Sequence, residues 1–222
     1  TDKAIPAHLT PFNILNTTAF IVNRKSGGLI NITNDTAQYK EDIIANLTLA
    51  ENGMLTGEVS VSSEDYARIK KLQEYKADKN KFLTRYFVVG GTGISGRDLE
   101  IINMENDSMA LEQRCKLSGA LNTTGEYSFL PLNLFTGFDI NPFLSDNRFS
   151  NINFGYRRTI NLNISIQLAA NYMVDEMPKF VKLTDPDKDI VFIRQVEYNK
   201  QDNIVRCRMQ FEFTKSLYET DM

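Results

Sequence analysis

The sequence predicts a mainly β protein, an antiparallel β-sandwich-like module with one helical insert at about residues 62–89. Three observations carry this expectation. Thr159–Leu168, TINLNISIQL, alternates strictly: Ile160, Leu162, Ile164, Ile166 and Leu168 fall on one face, Thr159, Asn161, Asn163, Ser165 and Gln167 on the other. Period-2 alternation over ten residues marks a strand with one buried and one wet face. Such strands belong to antiparallel sheets, because parallel strands are usually covered on both sides. Hairpin signals lie on either side of it, at residues 42–61 and 190–213, and only one long stretch carries helical periodicity.

Residues 1–35 read as a lead-in punctuated by Pro6 and Pro11. Ala19–Val22 and Leu29–Ile32, joined through Ser26-Gly27-Gly28, form a hairpin with no core of its own. Asp42–Ala50 and Met54–Val61 flank Glu51-Asn52-Gly53. A three-residue loop with Gly53 left-handed sets Leu49 opposite Leu55, Ala45 opposite Val59 and Ile43 opposite Val61. A two-residue Asn-Gly turn would scatter these apolar pairs, so the pattern selects the longer loop. Ser62 is then expected to cap a helix, with Asp65 at its third position and Val61 and Tyr66 as a hydrophobic staple. Tyr66, Ile69, Leu72 and Tyr75 recur at spacing three. Asp78 and Asn80 interrupt the pattern, and a second segment with Phe82, Leu83, Tyr86 and Phe87 stops at Gly90-Gly91.

The rest reads as β. Leu99–Met104 and Leu111–Leu117 lie around the Asn106-Asp107 turn, and Pro131 marks Tyr127–Leu134 as an edge or a bend. After a turn-rich connection over Gly137–Ser150 come the alternating strand, Phe180–Leu183 and a last hairpin. In that hairpin the expected register sets Tyr198 opposite Ile204, Ile193 opposite Met209 and Val191 opposite Phe211.

Composition narrows the function. With 222 residues, 42% hydrophobic and 24% charged, the chain has ordinary globular values and room for a sizeable core. A net charge of −3 leaves no electrostatic footprint for nucleic acid or an anionic membrane. No segment approaches the roughly 20 apolar residues of a membrane span. The chain opens on Thr1 without a signal peptide, as a processed or excised piece would. Two cysteines cannot build a zinc site. Cys115 and Cys207 each sit on the apolar face of an alternating run and read as buried thiols, a disulfide between neighbouring strands being the alternative.

Several constellations invite chemistry. Gly91-Thr92-Gly93-Ile94-Ser95-Gly96 spells G-x-G-x-x-G, but a dinucleotide site needs a strand before it and a helix after it. Here a helix end precedes and a strand follows, so a Gly-rich connection is expected and no cofactor. His8 is the only histidine and has no local partner. Asp185, Asp187 and Asp189 alternate through TDPDKD, without the central Gly and distal Glu of a calcium loop. Phe135, Phe138, Phe143, Phe149, Phe154 and Tyr156 crowd the connection before the alternating strand. They either tuck over the end of the sheet or offer a sugar- or peptide-binding platform, for which Phe138, Phe143 and Tyr156 are the candidates.

Order and spacing of further segments resemble a family of exported bacterial proteins. These carry an N-terminal domain of unknown function, a transglutaminase-like domain and a C-terminal β-rich domain of unknown function. The resemblance rests on Thr1-Asp2-Lys3, Leu9-Thr10-Pro11, Leu15-Asn16, LAENGMLTG at Leu49–Gly57, Asp65–Lys71, Asn141-Pro142-Phe143, Phe154-Gly155-Tyr156-Arg157-Arg158 and Glu176-Met177-Pro178-Lys179. It implies that residues 1–35 are the tail of the transglutaminase-like domain and that 36–222 form the β module, with a division into two sub-sheets near 120–150. The catalytic Cys, His and Asp would lie upstream, so no catalytic residue, cofactor or metal ligand is carried over. The implied role is a non-catalytic accessory module, extracytoplasmic, partnered by the upstream domain and by a protein or glycan. An independent carbohydrate- or adhesion-type binding module is the alternative. Asp35-Thr36-Ala37 and Asp107-Ser108-Met109 resemble an O-glycosylation signal of exported bacterial proteins, which marks Thr36 and Ser108.

Overall fold

A computed structural model describes residues 5–24, 26–33, 36–89, 92–132, 134–136 and 150–219. In chain order the strands and helices are β1 (Thr17–Val22), β2 (Gly27–Ile32), β3 (Gln38–Leu49), β4 (Met54–Glu64), α1 (Asp65–Ala77), α2 (Lys79–Phe87), β5 (Ser95–Ile102), β6 (Leu111–Ala120), β7 (Asn122–Thr124), β8 (Tyr127–Phe129), β9 (Ile152–Asn153), β10 (Arg157–Leu168), β11 (Val181–Thr184), β12 (Ile190–Asn199), β13 (Ile204–Phe213) and β14 (Leu217–Tyr218). Eight strands form one sheet in the order β11-β12-β13-β10-β3-β4-β6-β5. The protein is mainly β, as expected, with a large antiparallel-rich sheet that does not close into a barrel.

The alternating strand is β10, at the centre. Its apolar residues are buried, from 0% exposure at Leu162 to 9% at Leu168. It runs antiparallel to β13 but parallel to β3, so the one-sided pattern does not here mean antiparallel neighbours on both sides. What the alternation reports is coverage. Helices α1 and α2, Leu9 and Leu15 of the lead-in, and Leu134 close one face of the sheet. The other face is polar, and Ile44 is half exposed on it. Each Ile or Leu fully buried on the covered face stabilises the fold by about 1.5–3 kcal/mol.

The β3–β4 register is the expected one: Leu49 faces Leu55, Ala45 faces Val59 and Ile43 faces Val61, with Gly53 at φ +80. The helix starts later than expected. Ser62 and Ser63 stay in β4, paired with Asp42 and Glu41 on one side and Glu112 and Leu111 on the other. The chain turns at Asp65, whose carboxylate accepts the Gln38 N–H at 3.1 Å. Two neighbouring strands thus compete successfully with the Ser62 cap. Asp78 does separate the helices and caps α2, accepting from the Asn80 and Lys81 amides at 3.0 Å each.

The last hairpin differs from expectation by one residue. Tyr198 faces Val205, Ile193 faces Gln210 and Val191 faces Glu212. Asn199 extends β12 to pair with Ile204, and its side chain accepts the Gln201 amide at 2.9 Å; Asn203 then closes the turn at φ +53. A one-residue slip changes the face of every side chain on one strand. Phe192, Val196 and Tyr198 therefore pack on the core, while Ile193 turns to the polar face.

Candidate functional site

The polar face carries a groove of about 350 Å³ over four neighbouring strands, β12, β13, β10 and β3, lined by Asp42, Asn161, Asn163, Ile193, Gln195, Arg208, Met209 and Gln210. That volume is in the range of small-molecule sites. The register builds it in two adjacent rows. Gln195, Arg208 and Asn163 are direct neighbours across β12, β13 and β10; Ile193, Gln210, Asn161 and Asp42 form the next row. Asn161 donates to Asp42 at 2.7 Å, and the Lys40 ammonium stands 3.7 Å from the same carboxylate. Arg208 is exposed and forms no ion pair among the described residues.

On the covered face, one end of the sheet holds a buried polar network. Lys71 of α1 pairs with Glu41 of β3 at 3.0 Å, both side chains almost fully buried. The ammonium also lies 3.3 Å from the centroid of the Tyr86 ring. Ser63 donates to Glu41 at 3.4 Å and receives the Gln113 amide at 2.8 Å. Tyr86 donates to Glu74. Burial lowers the Lys71 pKa from its ordinary value and raises those of Tyr39 and Tyr86. Nearby, buried Arg68 donates to the carbonyls of Asn103, Met104, Asn106 and Met109, all within 3.1 Å, and so ties α1 to the β5–β6 connection. A network packed this tightly between helix and sheet fixes where α1 sits; it offers no opening to a substrate.

Among the described residues, those singled out from the sequence form no single site. Tyr156 is sandwiched between Tyr39 and Tyr66, with centroids 5.7 and 4.8 Å away and nearly parallel planes. The Arg158 guanidinium caps Tyr39 at 4.7 Å. Tyr156 therefore belongs to the packing and is not an open platform. Phe154 packs on Phe213 and Tyr218, and Phe135 on Phe87. Phe138 and Phe143 lie outside the described residues, as do Phe149, Asp35 and Gly90-Gly91. Thr36 is exposed; Ser108 is exposed in the β5–β6 turn, donating to Asn106 at 2.8 Å.

The Gly-rich run connects α2 to β5, with Thr92 bridging Val89 O and the Ile94 amide. Gly96 sits in β5 because any Cβ there would stand 2.6 Å from the Cys115 sulfur and 2.7 Å from Phe87 Cβ. Its role is close packing. Cys115 and Cys207 lie in one row of the sheet with Ile164, Ala45 and Val59 between them. Four strand spacings amount to about 19 Å, far beyond disulfide reach. Both are free, and burial pushes both thiols up to about 11. His8 is exposed. Asp185, Asp187 and Asp189 bring carboxylate oxygens within 4.8 Å of one another. Asp185 accepts the Ile190 amide at 2.8 Å, and Asp189 binds Lys215 and Thr214.

Sequence reasoning passed over Glu41, Ser63, Lys71 and Gln113. For three of them the signal was present: Glu41 shares parity with Ile43, Ser63 with Val61, and Gln113 with Leu111 and Cys115. Lys71 gave none, since charged residues fill most of α1 between its apolar positions.

The model of a family described as "Domain of Unknown Function with solved-structure structure (DUF3858)" matches residues 124–222. The match begins at the β7–β8 turn, whereas β3 to β6 of the eight-stranded sheet lie before it. No curated protein matches the chain. Among the described residues no helix is long and apolar enough to cross a membrane.

Proposed function

We propose that this chain is a non-catalytic interaction module of an exported transglutaminase-like protein, and that it docks the upstream domain through the β1–β2 hairpin. One observation carries the reading. In that hairpin Phe20 and Leu29 are cross-strand partners, exposed by 63% and 73%, and Val22 on the same face is 80% exposed. Ile21 and Ile30 on the opposite face are nearly half exposed. A two-stranded ribbon is marginal in water, and clustered exposed apolar side chains mark contact surfaces. The resemblance of residues 1–35 to the tail of a transglutaminase-like domain supplies the partner. Two thiols kept protonated by burial and an exposed His8 support the non-catalytic part.

Hydrogen exchange tests this. Amides of residues 17–32 should exchange quickly in the 222-residue chain and be protected by at least about tenfold when the preceding domain is present. Equal exchange in both would overturn the reading, as would hydrolase or acyl-transfer activity from the 222-residue chain alone. The proposal places the protein outside the cytoplasm, with Thr36 and Ser108 as O-glycosylation sites. An intact mass from native-host protein equal to the sequence mass would remove those two sites.

A further inference from the structure

The groove on the polar face stands apart from the hairpin, and its geometry restricts what can bind there. Beneath it β13, β10 and β3 have neighbours on both sides, and β11 flanks β12 as far as Arg194. The backbone N–H and C=O groups of β13, β10 and β3 are used in the ladders, so a peptide cannot dock across the groove by strand addition, which needs an edge. A ligand must be held by side chains alone.

Those side chains are of an unusual kind for one small patch. Asn161, Asn163, Gln195 and Gln210 supply four carboxamides, each both donor and acceptor. Hydroxyl groups have the same double character, so a polyhydroxylated ligand matches the set. Ile193, turned outward by the register of the last hairpin, supplies the apolar contact that the C–H side of a sugar ring needs. Arg208 adds one planar guanidinium fork suited to a carboxylate. It is flanked in register by Asn163 and Gln195. At the other end Asp42, hydrogen-bonded to Asn161 and near Lys40, accepts from a hydroxyl but repels a second negative charge. Arg208 and Asp42 are two strands and one row apart, roughly 12 Å between Cα positions, a span for two linked rings and not for one.

We propose that this groove binds a short acidic saccharide of the uronate type, its carboxylate on Arg208 and its hydroxyls on Asn163, Gln195, Gln210 and Asp42. The absence of a second cation in the lining, among the described residues, and the presence of Asp42 argue against phosphate-rich polyanions.

Titration of the 222-residue chain with digalacturonic acid, followed by calorimetry and amide chemical shifts, tests the assignment. The expected result is saturable binding that perturbs β10, β12 and β13, weakens with added salt, and exceeds binding of maltose. Arg208→Ala should weaken it about tenfold, Asn163→Ala by less, with melting temperatures unchanged because both side chains are exposed. No saturable binding, equal binding of maltose or inorganic phosphate, or full affinity in both Arg208→Ala and Asn163→Ala would overturn the proposal. Phe20→Ser should leave this binding intact whatever the hairpin docks, so the two proposals fail separately.

Discussion

The β1–β2 and β3–β4 hairpins are both antiparallel ribbons with apolar cross-strand pairs, yet they occupy opposite extremes of the molecule. In β3–β4 every apolar pair, Ile43 with Val61, Ala45 with Val59 and Leu49 with Leu55, is at most 3% exposed. In β1–β2 the pair Phe20 with Leu29 stands in water. The difference is not propensity, since both ribbons are rich in β-forming residues. It lies in what covers them: α1 packs on β3 and β4, whereas no other strand pairs with β1 or β2 among the described residues. Covered apolar pairs belong to the stability of this chain; the uncovered ones are those proposed to meet a partner. Substitutions on the two ribbons should therefore have effects of different kind as well as size.

The largest expected loss comes from the charged end of the covered ribbon. Glu41→Ala leaves the Lys71 ammonium buried without its carboxylate, 3.0 Å away in the native protein. Such uncompensated burial costs about 3–5 kcal/mol. The double variant Glu41→Leu/Lys71→Met should recover most of that, because a buried pair is often replaceable by apolar side chains. Urea unfolding of the two variants checks this, and a double variant as unstable as the single would show that the network does more than satisfy itself. Next comes the core of β10. Leu162→Ala, at a position with no exposure, should cost about 2–5 kcal/mol. Gly96→Ala follows at about 1–3 kcal/mol, since the new methyl meets the Cys115 sulfur and Phe87. A melting temperature unaffected by Gly96→Ala would mean that α2 can move away from β5.

These sites also show what the sequence could and could not convey. Burial on β10 and the β3–β4 register were legible, because strict alternation and a φ-positive glycine each leave one solution. The last hairpin was not, because its turn length depends on Asn199 accepting the Gln201 and Asp202 amides and on Asn203 donating to the distant carbonyls of Leu168, Ala169 and Tyr172, and apolar residues stand on both parities of β12. Ser62 reads as a helix cap by local chemistry, but pairing with β3 and β6 outweighs a cap of about 1 kcal/mol. The groove is invisible in one dimension: it gathers residues from positions 42, 161–163, 193–195 and 208–210, and Ile193 joins it only in the observed register. Tyr156 stood out as an aromatic in a crowded segment and a candidate for a binding platform, but its stack with Tyr39 and Tyr66 needed the tertiary fold.

Alkaline pH gives a smaller, graded test of the covered side. Cys115 and Cys207 titrate near 11 in the fold against an ordinary 9.0. A raised folded-state pKa means their contribution is complete below pH 9 and is lost as pH rises through 11. Tyr39 and Tyr86, also raised, act in the same direction from about pH 10 upward. Lys71 and Lys70 oppose them, because burial lowers both pKa values and makes stability rise with pH up to their ordinary 10.5. The two thiols and two phenols, joined by Lys40 and Tyr218 whose values are also raised, act against these two lysines, so the urea midpoint should fall between pH 9 and 11. Cys115→Ala/Cys207→Ala should show a shallower fall over that window, and an unchanged slope would remove the thiols from the account.

The smallest expected change in stability separates the two ribbons most directly. Leu29→Ser on β2 removes an apolar side chain that is already 73% exposed. With so little burial to lose, unfolding of the 222-residue chain should shift by no more than about 0.5 kcal/mol. The same substitution should matter when the preceding domain is present, because the protection expected across residues 17–32 depends on Phe20, Val22 and Leu29 being covered. A variant that leaves the isolated chain's stability unchanged but restores fast exchange in the longer chain identifies the hairpin as a contact surface. A loss of stability comparable to Leu162→Ala would instead make it part of this chain's own core, and the contrast between the ribbons would disappear.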